Sequence, residues 1–149
     1  MLLNRDWIER HIPHQGNMCL LDDVVEWNAT HIRCRTDSHH WVVHPLRSRG
    51  RLGAACGIEY AAQTMAVHGA LTAAAGSAPP AAGLLASLRD VRMFAERLDT
   101  LEAELICEAT QLAGDGGGAM YSFLISAALS TVISGRATVV FDAANGAAR

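Results

Sequence analysis

The sequence is short of the features that most readily betray a function. Cys19, Cys34, Cys56 and Cys107 are scattered, with no Cys-x-x-Cys pair and no histidine at ligand spacing. That pattern excludes a zinc site and a disulfide framework. The four thiols are expected as small apolar residues of a reduced protein. There is no block of basic residues, and the net charge of -3 with a pI near 6.1 gives no footprint for nucleic acid or an anionic membrane. The first ten residues are broken by charge at Arg5, Asp6, Glu9 and Arg10, so no signal segment is expected and the location expected is cytoplasmic. The scarcest thing of all is charge in the middle of the chain: between Arg51 and Arg89 only Glu59 is formally charged.

What is present in that stretch is alanine and other small residues, predicting a buried helix over 54–75 closed by Gly76 and Pro79-Pro80. Ionising a lone carboxylate there without a partner costs several kcal/mol, so Glu59 is expected to have a shifted pKa, a tight partner or a functional role. The helix does not read as a membrane span, because its apolar content is mostly Ala and Gly and it contains Glu59, Gln63 and His68. Gln63 lies one turn after Glu59 on the same face, able to bond the carboxylate or a neighbouring loop.

With 149 residues, half of them apolar, the chain fits one domain, 1–149. A short N-terminal helix over 1–12 ends at Pro13. Strands are predicted at Met18–Trp27 and Thr30–Thr36, joined at Asn28-Ala29. A loop over 37–53, dense in His, Pro, Arg and Gly, is long for a compact domain and therefore a candidate for function. After the central helix, strands are predicted at Leu84–Phe94, Leu101–Leu112, Ala119–Leu129 and Thr131–Phe141, with a tight turn at Gly114–Gly118 and a frayed tail over 143–149. One antiparallel sheet with one long small-residue helix in its concavity is an α+β domain, the layout of a hot-dog fold.

Three segments carry a resemblance over nearly the whole domain: Ile12-Pro13-His14-Gln15-Gly16-Asn17-Met18-Cys19-Leu20-Leu21-Asp22, the His-containing loop, and Cys56-Gly57-Ile58-Glu59-Tyr60-Ala61-Ala62-Gln63. In order and spacing they resemble the hot-dog 3-hydroxyacyl-[acyl-carrier-protein] dehydratases, and more closely the variants found with aryl polyene pigment clusters. The resemblance implies a cofactor-free, metal-free reaction on an acyl chain carried by phosphopantetheine, with acyl carrier protein as partner. It implies a homodimer, or a heterodimer with a related dehydratase, in which a loop His removes the C2 proton and the helix carboxylate, Glu59, protonates the leaving hydroxyl. It also implies a backbone N–H at the helix start that polarises the thioester carbonyl; Ala54 occupies that position.

The sequence departs from the family at the base. The position fourteen before Glu59, where the fatty-acid enzymes carry it, is Pro45. The candidates are His39, where the pigment-cluster relatives also place a His, and His44, where they place Asn. His39 is the first choice and His44 its rival. His14 is expected to be structural, and His31 and His68 incidental. Arg47, Arg49 and Arg51 are either a solvated face or a basic rim for the phosphopantetheine phosphate or an acidic carrier helix. Two other functions fit the same outline: a hot-dog acyl thioesterase using Glu59 to activate water, and a non-catalytic partner subunit of a heterodimeric dehydratase.

Overall fold

The computed structural model describes residues 3–75, 83–115 and 117–141. Helix α1 spans Arg5–His11, capped by Asn4, whose side chain accepts from the Trp7 N–H. Strands β1 (Asp23–Trp27) and β2 (His31–Thr36) form a hairpin, and the Asn28 Oδ1 accepts from the Thr30 and His31 N–H groups to close it. Helix α2 covers Gly57–Ala75 after a single 3-10 turn at Ala54–Cys56. Strands β3 (Gly83–Met93), β4 (Leu105–Asp115), β5 (Gly118–Ala127) and β6 (Ser130–Phe141) complete one antiparallel sheet, in the order β1-β2-β4-β5-β6-β3.

Alternation of side chains along each strand decides which side of the sheet is covered. Ile32 and Cys34 on β2, Leu105, Cys107 and Ala109 on β4, and Tyr121, Phe123 and Ile125 on β5 are buried, and α2 packs chiefly on these three strands. Gly57 permits the close approach. A Cβ there would lie 2.8 Å from the Ile133 Cγ2. On the opposite face of the sheet, Arg33 and Arg35 pair with Glu26, Glu108, Asp23 and Glu104.

Two strand boundaries differ from expectation for one reason. Met18–Asp22 is not strand, because the Leu20 N–H donates to the Gln63 Oε1 and the Gln63 amide donates to the Met18 carbonyl, so a side chain takes the ladder's place. Likewise Leu101–Glu104 is irregular, the Leu101 and Ala103 carbonyls accepting from the His39 ring. Strands β4 and β5 run farther than predicted, to Asp115 and from Gly118, so their turn is shorter than Gly114–Gly118. The predicted tail over 143–149 and the Gly76–Pro80 stop signal lie outside the described residues. Among those described, no helix is long and apolar enough to cross a membrane.

Candidate functional site

Glu59 sits in the first turn of α2 with its side chain about one-third exposed. Its Oε2 accepts from the Gln63 Nε2 at 2.9 Å and faces the His14 Nε2 at 3.1 Å. Among the described residues no bond reaches its Oε1. Burial pushes the carboxyl pKa up, but the bonds from His14 and Gln63 and the His14 charge outweigh it, and the group is held below its ordinary range. Gln63 is itself fully buried and locked: beside Glu59 it bonds the backbone of Leu20 and Met18. The carboxylate is thus clamped at one oxygen by a segment that folds back from the N-terminus.

The two candidate bases lie in the loop after β2, and neither touches Glu59 within one chain. His44 is buried, and its Nδ1 accepts from the Leu46 N–H at 3.0 Å. That fixes its proton on Nε2, which donates to the Tyr60 hydroxyl at 3.0 Å, so both ring nitrogens are committed. The Ser38 hydroxyl bonds the same Tyr60 oxygen at 2.8 Å. His39 is wholly buried, and its Nε2–H donates to the Leu101 and Ala103 carbonyls, both at 3.0 Å. Among the described residues its Nδ1 has no partner and is a bare lone pair. Burial lowers the pKa of both histidines, with Arg47 adding to the effect on His44 and His40 to that on His39. Both are neutral at neutral pH, the state a base requires.

The helix start differs from expectation in one atom. The Ala54 N–H donates to the Glu96 carbonyl at 2.9 Å and is not available to a substrate. The next N–H, that of Ala55, has no acceptor among the described residues and stands at the positive end of the helix. Arg47 also leaves the proposed basic rim. Its guanidinium donates to the Trp41, Gly50 and His39 carbonyls and pairs with Asp99 at 3.6 Å, so it ties the loop together. Arg49 and Arg51 stand exposed on the turn closed by Ser48 and Arg51. Among the described residues no group of three His, Cys, Asp or Glu could hold a metal.

His14 is the residue that sequence reasoning placed in a structural role and the fold brings to Glu59. Its only sequence signal was membership of the opening Ile12-Pro13-His14 segment. His68, expected to be incidental, is buried with its Nδ1 at 2.7 Å from the Tyr121 hydroxyl and its Nε2 at 2.9 Å from the Asn28 carbonyl. It braces α2 against the sheet and the β1–β2 turn.

No curated protein matches the chain. The family described as ApeP-like, ApeP dehydratase, matches residues 7–147. Among solved structures, the dehydratase heterocomplex ApeI:P from Xenorhabdus doucetiae is similar, with 25% identity, a TM-score of 0.80 and 90% of each chain covered. A mutant thioesterase from Pseudomonas aeruginosa is similar in fold at 8% identity and a TM-score of 0.64, over 94% of this chain and 97% of that one. A thioesterase from Haemophilus influenzae follows at 11% identity and a TM-score of 0.57, over 79% of this chain and 76% of that one.

Proposed function

Since the chain belongs to the ApeP dehydratase family, we propose that it removes water from 3-hydroxyacyl thioesters to give trans-2-enoyl thioesters, in aryl polyene or fatty-acid-like synthesis. The acyl group is carried on the phosphopantetheine of an acyl carrier protein, no cofactor takes part, and the setting is cytoplasmic. Exposed Arg49 and Arg51 are the cations placed to meet the carrier or its phosphate.

The observation that carries this reading is the state of Glu59, held through Oε2 with Oε1 unbonded among the described residues, at the start of the buried helix. In the reaction the C2–H bond breaks, its electrons form the C2=C3 bond, and the C3–O bond breaks as Glu59, reacting through the minor protonated form that its lowered pKa leaves, supplies a proton to the departing hydroxyl. The charge that builds on the thioester oxygen falls to the Ala55 N–H at the helix start. His39 is the base, because its Nδ1 lone pair is uncommitted while both nitrogens of His44 are spent. Neither histidine meets Glu59 inside one chain, which supports a site completed by a second subunit. The X. doucetiae relative is a dehydratase heterocomplex, and the working unit proposed here is this chain with a related dehydratase.

One observation favours a second reading. His39 is enclosed by its own chain, so this subunit would contribute Glu59 while the related subunit contributes the histidine. Formation of enoyl product from a 3-hydroxyacyl-carrier substrate, measured on the complex, separates the cases. Glu59→Gln is expected to lower the rate by about 10²–10⁴-fold. A comparable loss in His39→Ala supports His39 as base, whereas an active His39→Ala with an inactive Glu59→Gln favours the second reading. An unimpaired Glu59→Gln defeats both, and release of free carrier thiol without enoyl product points to a thioesterase.

A further inference from the structure

Two nitrogens grip the same oxygen of Glu59, and only one of them has a structural task elsewhere. Gln63 spans Glu59, Leu20 and Met18 and so ties the N-terminal segment to α2. His14 reaches Glu59 through Nε2 and, among the described residues, nothing through Nδ1, which is buried and unpartnered there. A histidine kept for packing in this same protein looks different: His68 bonds through both nitrogens. Leaving a buried ring nitrogen unpaired carries a cost, and what His14 obtains for it is one contact, with the carboxylate.

We propose that His14 is a positioning residue for Glu59: it holds Oε2 beside Gln63, turns Oε1 alone toward the substrate, and stabilises the carboxylate left when Oε1 has given up its proton. The inference rests on the dehydratase reading. As the C3–O bond breaks, the Oε1–H bond breaks with it, the proton goes to the leaving oxygen and water departs. The negative charge that appears on Glu59 is shared with Oε2, where the His14 and Gln63 N–H groups already point, so little reorganisation is needed. Solvent then returns a proton to Oε1, and the base releases to solvent the proton it took from C2. Among the described residues His14 is the titratable group that acts on Glu59 from a neighbouring segment, and its bond works in the direction of the carboxylate form.

The test is the pH profile of dehydration of a synthetic 3-hydroxyacyl-pantetheine thioester by the full chain in complex with the related dehydratase. Loss of one preoriented donor should lower kcat of His14→Ala by about 10²-fold with little change in KM. Because the lost bond favoured the carboxylate, Glu59 should stay protonated to higher pH, and the alkaline limb of kcat should move upward. His14→Gln, whose amide can donate to Oε2 but carries no charge, should recover part of kcat. An unchanged kcat and limb in His14→Ala overturns the proposal. So does a His14→Gln variant no faster than His14→Ala once both are shown to fold and assemble. Glu59→Gln in the same assay distinguishes the failures: if it is unimpaired, the dehydratase reading falls, and if it is inactive while His14→Ala is normal, only this inference falls.

Discussion

Three buried histidines make the protein's stability a matter of protonation. His39, His44 and His68 all have pKa values lowered from 6.5, chiefly by burial. For a base whose folded pKa is depressed, the unfolded chain binds more protons as the pH falls through 6.5, so unfolding is favoured on the acid side. Each contributes up to about 1.4 kcal/mol per pH unit in that window. Thermal melts should therefore show a falling Tm from pH 7.5 to 5.5, and His68→Gln, which cannot take the proton, should flatten the slope. A Tm independent of pH over that range would rule the argument out. Only part of this was legible beforehand. Glu59 announced itself because the charge gap from Arg51 to Arg89 surrounds it, a local property. His14 and His68 did not, because their partners, Glu59 in one case and Tyr121 with Asn28 in the other, are 40 or more residues away and meet them only through the fold.

The helix that carries Glu59 owes its position to one small residue. Gly57 is helical, so Ala there would gain about 1 kcal/mol of helix propensity, but its Cβ would fall 2.8 Å from the buried Ile133 Cγ2. Overpacking of that kind costs about 1–3 kcal/mol. Denaturant unfolding is expected to show Gly57→Ala as destabilised, and Gly57→Ala/Ile133→Ala as less so than the sum of the single changes, by a coupling of about 1 kcal/mol. Strict additivity would mean that the helix does not press on β6 there. Element types were readable from local signals, the run of alanine and small residues for the central helix and the strand-forming runs between turn residues for the sheet. Their ends were less so where a side chain replaced a neighbouring strand, as Gln63 does for Leu20 and His39 for Leu101 and Ala103. The Ala54 donor failed for the same reason, since its acceptor, the Glu96 carbonyl, is a distant backbone atom.

A single chain leaves part of its sheet uncovered. Helix α2 packs chiefly on β2, β4 and β5, whereas β3 lies at the sheet's edge beside β6. Along it Leu85, Leu88 and Met93 stand opposite Val139, Ala137 and Ile133. Residues directly opposite share a face, and Ala137 and Ile133 are buried, so this row lies on the helix side of the sheet beyond the helix itself. Met93 is nonetheless 49% exposed, and Phe94, just past the strand, 61%. An apolar row beside a strand edge of 11 residues, with one set of backbone groups unpaired within the sheet, is a template for another chain. Such a contact would supply what the site lacks within one chain, a candidate base, His39 or His44 or its counterpart, facing Glu59. Leu85→Glu/Leu88→Glu should therefore leave the isolated chain's Tm nearly unchanged, because both side chains are exposed there, while abolishing association and enoyl formation together. Native mass spectrometry of the chain alone and mixed with a related dehydratase reads the outcome. A mixed complex that forms in the wild type and is lost in the variant supports a β3-edge assembly, and a variant that still associates and still dehydrates would place the second subunit elsewhere on the molecule.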